Sequence, residues 1–200
     1  MTREEGLILL KENLQNQNLI KHCLSVEAIM KSLARHFQNY NPPTTSSHSL
    51  RERAPEETKW GLVGLLHDID YEKTKGDANQ HSLVGARMLE DLGVEKDICQ
   101  AVKVHNEAHG ILPETLMEKA LFVTDPLTGL IVAAALVLPS KKLADLTSEN
   151  VLNRFREKAF ARGANREIIK KSEEFLNLSL DDFVKIGLKA MQKISQDLGL

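Results

Sequence analysis

Apolar residues recur along most of this chain at the three- and four-residue spacings of α-helices. Between residues 19 and 37 they form a stripe through Leu19, Val26, Ile29, Leu33 and Phe37, on one face of a predicted helix. We find no segment that alternates apolar and polar residues in the manner of a half-buried strand. The pattern predicts an all-α fold class.

Capping residues, glycines and prolines divide this pattern into separate helices. Residues 2–5, TREE, form a capping box that predicts the start of a first helix. Residues 41–55 begin with Asn and two prolines, which predicts a mobile surface loop. Further helices are predicted over residues 19–40, 56–67, 79–92, 95–105, 113–138, 147–160 and 165–176, and a last one from residue 179.

The segment from Ala120 to Leu138 is almost entirely apolar and nearly long enough to span a bilayer. It contains Asp125, and a carboxylate at the centre of a membrane costs about 2.5–3.5 kcal/mol. We therefore interpret the segment as a buried core helix that is broken near Pro126.

Length, charge and cysteine content narrow the function classes. A chain of 200 residues, 42% of them hydrophobic, fits one domain with a substantial core. The formal net charge of −2 gives no electrostatic reason to expect a nucleic-acid polymer or a membrane surface as a partner. Cys23 and Cys99 lie apart inside helical patterns, and the N-terminus is polar, so we expect a reducing, cytoplasmic location.

Six histidines and aspartates interrupt the apolar faces of five predicted helices. They are His22, His67, Asp68, His81, His105 and Asp125. A lone histidine on such a face is more often a hydrogen-bonded core residue than a ligand, but a buried carboxylate must be paired or must bind a metal. The stripes hold no lysine or arginine that would neutralise Asp68 or Asp125. Metal cations would neutralise both and would also use the histidines, as in other helical bundles.

The order of these residues resembles the HD superfamily of metal-dependent phosphohydrolases, whose helical members carry the pattern H…HD…D. Residues 64–69, GLLHDI, look like its central motif, and residues 117–125, MEKALFVTD, look like the segment with its last aspartate. Residues 81–86 and 101–105 resemble two further histidine motifs of the dinuclear members. Those members include hydrolases of diadenosine polyphosphates and cyclic-dinucleotide phosphodiesterases.

The resemblance implies an HD-domain helical bundle. It implies a single domain over residues 1–200, with core motifs over 18–135 and additional C-terminal helices over 140–200. The doubled histidine and the GYP motif of the cyclic-di-GMP enzymes are absent, because Asn106 follows His105 and the residues after Asp68 are IDY. That difference argues against cyclic-di-GMP as a substrate.

The resemblance also implies the cofactor, two divalent transition-metal ions bridged by Asp68. The first ion is assigned His22, His67, Asp68 and Asp125, and the second is assigned Asp68, His81 and His105. Fe, Mn, Co, Ni or Zn suit these nitrogen and oxygen ligands, and a single ion is the alternative. A hydroxide between the ions would attack phosphorus.

The remaining candidate residues are less specific. Asp70 and Lys73 follow the bridging Asp68 closely enough to be catalytic candidates with it, and a solvated turn is the alternative. Candidate substrate-binding residues are His109, Lys141, Lys142, Arg162 and Arg166. For the four cations among them, ordinary surface charge is the alternative. The expected substrate is a small phosphorylated molecule, with a nucleotide preferred.

Two other function classes use the same residues. Some HD-fold proteins are diiron oxygenases that cleave C–C or C–P bonds, and their ligands would be the same. A nucleotide-binding sensor module without catalysis is the second alternative, which a missing ligand would favour. Metal content and a panel of phosphate esters would separate the three.

Overall fold

The computed structural model describes the backbone of residues 1–40 and 50–200 and the side chains of residues 1–38 and 57–200. Every regular element in these ranges is a helix, which confirms the predicted fold class. The α-helices are α1 (Arg3–Asn13), α2 (Gln17–Tyr40), α3 (Leu50–Leu66), α4 (Tyr71–Thr74), α5 (Leu83–Asp91), α6 (Lys96–Val104), α7 (Leu116–Leu136), α8 (Ser148–Arg156), α9 (Arg166–Lys170), α10 (Ser172–Leu176), α11 (Leu180–Lys193) and α12 (Ser195–Leu198). Short 3-10 helices span Glu107–His109 and Leu143–Asp145.

Helices α2 and α7 form the centre of the bundle. Helix α2 packs against α3, α7 and α11, and α7 also packs against α6, α8, α9 and α10. One cluster of buried apolar side chains, among them Leu33, Leu65, Leu121 and Phe183, connects these helices. The C-terminal helices therefore share the core of the helices that precede them.

Gly64 lets α3 approach α2 closely. A Cβ atom at this position would lie 2.8 Å from the backbone nitrogen of Glu27 and 2.8 Å from the carbonyl carbon of Val26, closer than side chains tolerate. Helix α3 ends two residues later, at Leu66. The close approach therefore brings the turn that contains His67 and Asp68 beside α2.

The loop predicted over residues 41–55 is partly helix. Helix α3 begins at Leu50 and runs through Pro55, so the predicted start at residue 56 is wrong. A proline this close to the beginning of a helix removes one backbone hydrogen bond, and the residues after it remain free to be helical. The rest of the predicted loop, residues 41–49, lies outside the described residues.

Helix α7 is continuous, so the predicted break near Pro126 is also wrong. The turns on both sides of the proline are buried, and their packing outweighs the loss of one backbone hydrogen bond. By length and composition α7 could cross a membrane, but most of it is buried inside the bundle. This burial agrees with its interpretation as a core helix.

Two other helices are shorter than predicted. Helix α8 ends at Arg156 because Glu157 has an extended backbone conformation. The helix predicted over residues 165–176 is two short helices, α9 and α10, that meet at Lys171. The chain between α8 and α9 is thereby free to form one wall of the cleft described next.

Candidate metal centre

The six histidines and aspartates of the apolar faces converge on one point, with Asp68 at its centre. Asp68 Oδ2 lies 3.4 Å from His22 Nε2 and 3.5 Å from His67 Nε2. On the other side, Asp68 Oδ1 lies 3.3 Å from His81 Nε2 and 3.5 Å from His105 Nε2. One carboxylate thus faces two pairs of imidazoles, one pair with each oxygen.

Asp125, on α7, joins the first pair of imidazoles. Its Oδ1 lies 3.1 Å from His22 Nε2 and 3.8 Å from His67 Nε2, and these two nitrogens are 3.1 Å apart. The cluster contains three overlapping groups whose ligand atoms all lie within 4.8 Å of one another. The groups are His22, His67 and Asp68; His67, His105 and Asp125; and Asp68, His81 and His105.

The other ring nitrogen of each histidine is held by a hydrogen-bond acceptor. His67 Nδ1 donates to the carbonyl oxygen of Gly64 at 2.8 Å, and His105 Nδ1 donates to that of Val102 at 2.6 Å. His81 Nδ1 donates to Asp70 Oδ1 at 3.0 Å. In each case the acceptor is an oxygen without a proton, so the imidazole proton belongs on Nδ1.

His22 is fixed in the same tautomer by Thr128. The Thr128 hydroxyl donates its proton to the carbonyl oxygen of Asp125 at 2.9 Å. It must therefore accept from His22 Nδ1, which lies 2.9 Å from it. In their neutral form, all four imidazoles would present an Nε2 lone pair to the two carboxylates.

This donor set fits divalent transition-metal ions. His105 Nε2 is buried without a hydrogen-bond partner in the described structure, and the Nε2 lone pairs of His22 and His67 face each other. Such atoms are costly to bury beside carboxylates unless a cation lies between them. Four imidazole nitrogens, two carboxylates and a hydrogen-bonded outer nitrogen on every ring are the ligation pattern of protein metal sites.

The electrostatic field of the cluster favours positive charge. Burial alone would lower the pKa of His67, but the charge of Asp68 and the contacts with Asp125 outweigh it and raise that pKa to about 9. Burial also opposes protonation of His81, yet hydrogen bonds to Asp68 and Asp70 raise its pKa to about 10. Against their own burial, the neighbouring imidazoles lower the pKa of both Asp68 and Asp125. The two carboxylates therefore remain ionised and attract cations.

His81 reaches the cluster from a turn, so its predicted position on a helical face is wrong. Helix α5 begins only at Leu83, because Ser82 has a φ of 70° and interrupts the helical path. Asp70 Oδ2 accepts hydrogen bonds from the backbone nitrogens of Ser82 at 2.8 Å and Gly85 at 2.9 Å. A Cβ at Gly85 would lie 3.1 Å from Asp70 Cγ, so a larger residue would displace this carboxylate by a few tenths of an ångström.

Asp70 consequently positions His81. Its side chain is fully buried, and its oxygens bind the start of α5 and the outer nitrogen of His81. The structure gives it this contact instead of access to a substrate.

We expect Asp70→Asn to weaken metal binding by roughly 10–100-fold, as loss of an outer-shell carboxylate commonly does. The asparagine oxygen would accept from the two backbone nitrogens, which turns its NH2 group toward His81 Nδ1. Two donors would then face each other, and His81 would move its proton to Nε2, the ligand atom. Calorimetric titration with Mn²⁺ measures the change, and Asp91→Asn, on the exposed end of α5, is the control. Equal Mn²⁺ affinity in the Asp70 variant and the parent would contradict the assigned role.

The structure does not bring Lys73 or His109 to the cluster. Lys73 Nζ donates to Asn13 Oδ1 at 2.6 Å, which directs it toward α1. His109 Nε2 donates to the carbonyl oxygen of His81 at 2.7 Å, so it supports the turn that carries that ligand. Both side chains stabilise neighbouring backbone or helices.

The four predicted substrate-binding cations lie at different places. Lys141 and Lys142 are exposed beyond α7, which extends about 16 Å past Asp125 before it ends. Arg166 donates to the carbonyl oxygens of Phe160, Ala161 and Ala164 and so holds the connection between α8 and α9.

Arg162 is exposed and directly precedes Gly163, which lines the cleft over the cluster. Its contact with a substrate stays a prediction.

The cluster lies at the bottom of an open cleft of about 540 Å³. Its lining includes five of the six cluster residues, His22, Asp68, His81, His105 and Asp125. The other described residues of the lining are Leu19, Tyr71, Asn106, Glu107, Phe122, Pro126, Gly163, Asn165 and Ile168, none of them a lysine or an arginine. The cleft is large enough for a small phosphorylated molecule.

Several of these residues were not predicted from the sequence. Asn165 Nδ2 donates to Glu107 at 3.1 Å and connects two segments across the rim of the cleft. No local sequence pattern predicts that contact. Thr128 could have been found, because it is a polar residue inside the apolar α7 segment, three positions after Asp125.

Comparison with known proteins identifies a region of the chain that contains all six cluster residues. The HD domain family matches residues 19–135. The uncharacterized protein MJ0778 of Methanocaldococcus jannaschii is 33% identical over 121 residues, which are 60% of this chain and 63% of that protein.

Ribonuclease Y of Nitratidesulfovibrio vulgaris is 28% identical over 158 residues, which are 76% of this chain and 27% of that enzyme. The chain thus spans less than two thirds of the length of either relative. No solved structure matches the chain significantly.

Proposed function

Because the chain belongs to the HD domain family, a superfamily of metal-dependent phosphohydrolases, we propose that it hydrolyses a phosphate ester or phosphoanhydride, with a nucleotide as the preferred substrate. One observation carries the proposal. Four imidazoles, all with Nε2 directed inward, surround the carboxylates of Asp68 and Asp125 at the bottom of an open cleft.

The chain's own residues would bind and orient the reacting groups. Two ions would be held by the six cluster residues, with Asp68 between them. Bound divalent cations of this kind lower the pKa of a water molecule and polarise phosphoryl oxygens. Thr128 and Asp70 keep His22 and His81 in the ligating tautomer. In the net reaction, water oxygen bonds to phosphorus, the bond to the leaving oxygen breaks, and that oxygen takes a proton.

The charge of the cleft supports a small substrate. Its described lining has carboxylates and imidazoles but no lysine or arginine, so the phosphate charge would be met by the metal ions. A polymer needs a series of cationic contacts along its backbone. Similarity to proteins named Ribonuclease Y makes an RNA phosphodiester the second candidate, and the acidic lining favours a small molecule over it.

Two alternatives use the same ligands and are separated by experiment. A diiron oxygenase would consume oxygen with an organic substrate and hold iron as purified. A sensor module would bind a nucleotide without turning it over. All six ligands are present and converge, which supports catalysis over sensing.

We expect chelation to abolish hydrolysis and Mn²⁺, Co²⁺ or Ni²⁺ to restore it, because the described cleft lining has no lysine or arginine to neutralise a phosphate beside two carboxylates. The measurement is release of phosphate or of the alcohol from a panel of nucleotides and simple phosphate esters, before and after dialysis against chelator. The parent dialysed without chelator is the control. Full activity in metal-free protein would exclude the proposed chemistry.

A further inference from the structure

Helix α7 carries an apolar face that the rest of the described chain leaves open. Pro126, Gly129, Val132 and Leu136 follow one another at three- and four-residue spacings and therefore share a face. Leu136 is 48% exposed, Gly129 is exposed, and Pro126 and Val132 are half-buried. A core helix would ordinarily present polar residues on its solvent side, so an open apolar face indicates a binding surface.

This face is the floor of a groove that adjoins the metal centre. The groove has a volume of about 500 Å³ and runs between α2 and α7, with Leu198 of α12 as a third wall. His22 lines both this groove and the cleft over the cluster. On α7, Pro126 lines the cleft and Gly129, one turn later, lines the groove. The two spaces are therefore neighbours along one helix.

The α2 side of the groove is polar, unlike its floor on α7. There Asn18 and Lys21 provide an amide and an ammonium group. An apolar floor with polar groups at one edge matches a flat ring system, whose faces are apolar and whose rim has hydrogen-bonding atoms. A plain hydrocarbon chain would leave the amide and the ammonium without a partner from the ligand.

We propose that this groove binds the organic group of the substrate, a ring with polar edge atoms such as a nucleobase, while the phosphate lies at the metal centre. The inference rests on the proposed function for the position of the phosphate. Gly129 lines this groove, and an ideal Cβ built on it has no atom within 4 Å, so a side chain at this position has room beside the groove.

The experiment uses the Mn²⁺-loaded full chain and three phosphonates, whose P–C bonds resist hydrolysis. Methylphosphonate represents the phosphate group alone, (adenin-9-yl)methylphosphonate adds a ring with polar edge atoms, and octylphosphonate adds a hydrocarbon chain. Calorimetry measures their dissociation constants for the parent, Gly129→Ala and Gly129→Trp. Gly129→Ala is the matched control, because one methyl group barely fills the groove and favours the helix.

We expect Gly129→Trp to weaken binding of the ring phosphonate roughly tenfold or more, the effect of losing the burial of one ring face. Methylphosphonate affinity and metal content should stay within about twofold of the parent, a change of less than about 0.4 kcal/mol. Unchanged affinity of the tryptophan variant for the ring phosphonate would overturn the groove assignment. A tryptophan variant that changes its oligomeric mass but keeps the parent's affinity for the ring phosphonate would overturn it too. A larger loss for octylphosphonate would overturn the ring assignment.

These outcomes are distinguishable from failure of the proposed function. If the protein hydrolyses no phosphate compound but binds the ring phosphonate, and Gly129→Trp weakens that binding, the groove stands and the catalytic proposal fails. If esters are hydrolysed while ring binding is insensitive to position 129, the catalytic proposal stands and the groove assignment fails.

Discussion

Replacing Asp68 with asparagine is expected to lower hydrolysis roughly 10³-fold or more and to remove most bound metal. Asp68 is the residue that faces both pairs of imidazoles, since its two oxygens lie within 3.5 Å of all four Nε2 atoms. Asparagine has nearly the same shape, but it is neutral and can offer only one oxygen. The loss of charge therefore affects every ion that the cluster holds.

Two measurements test this expectation without relying on activity alone. Elemental analysis gives the metal content of the variant. Thermal unfolding with and without Mn²⁺ should show a stabilising shift in the parent and little or none in Asp68→Asn, because a ligand stabilises only the state that binds it. Asp91→Asn, with an exposed side chain on α5, should behave like the parent. A metal-dependent shift of full size in Asp68→Asn would refute a central role for this carboxylate.

The second large effect concerns the two pairs of histidines. In a dinuclear site, His81→Ala and His105→Ala should each reduce the metal content from about two ions to about one per chain. The second ion would then lose one of only two ligands that it does not share. His67→Ala should reduce activity at least as strongly as either of these two substitutions. It should also lower metal content, since His67 contacts both aspartates.

His36→Ala is a suitable control for these variants. His36 lines a different cavity, with Phe37 and Leu176, away from the cluster. Parent-like metal content and full activity in both His81→Ala and His105→Ala would show a mononuclear site. The overlap of His67, His105 and Asp125 in one group of ligand atoms makes that outcome geometrically accessible.

The ligand cluster could be recognised from the sequence because its polar residues occupy positions that the apolar pattern predicts to be buried. His22 and Asp125 lie on strongly apolar faces, and a carboxylate placed there requires a compensating charge. The structure brings them to within 3.1 Å. The argument was weaker for His81, which the helix predicted over residues 79–92 placed on an apolar face. The turn at Ser82 exists because the Asp70 carboxylate binds its backbone nitrogen, a contact between separate segments.

The roles of the residues outside the cluster followed less well from sequence. Asp70 and Lys73 are near Asp68 in the chain, and proximity suggested catalysis for both. Burial and hydrogen bonding separate them, since Asp70 is enclosed behind His81 while Lys73 reaches Asn13 on α1. Spacing along the chain does not report the direction of a side chain that follows a turn.

By itself, the sequence determined the helical class and the identity of the six converging residues, because periodicity, capping and inward-facing charge are local properties of the chain. Its motifs carried the resemblance to the family. Only the tertiary structure decided the tautomer of each imidazole, the continuity of α7 through Pro126, and the walls of the cleft and the groove. These depend on hydrogen bonds and packing between segments that are distant in sequence, such as Thr128 with His22 and Asn165 with Glu107. A linear pattern contains no signal for such contacts, since either partner alone resembles an ordinary polar residue.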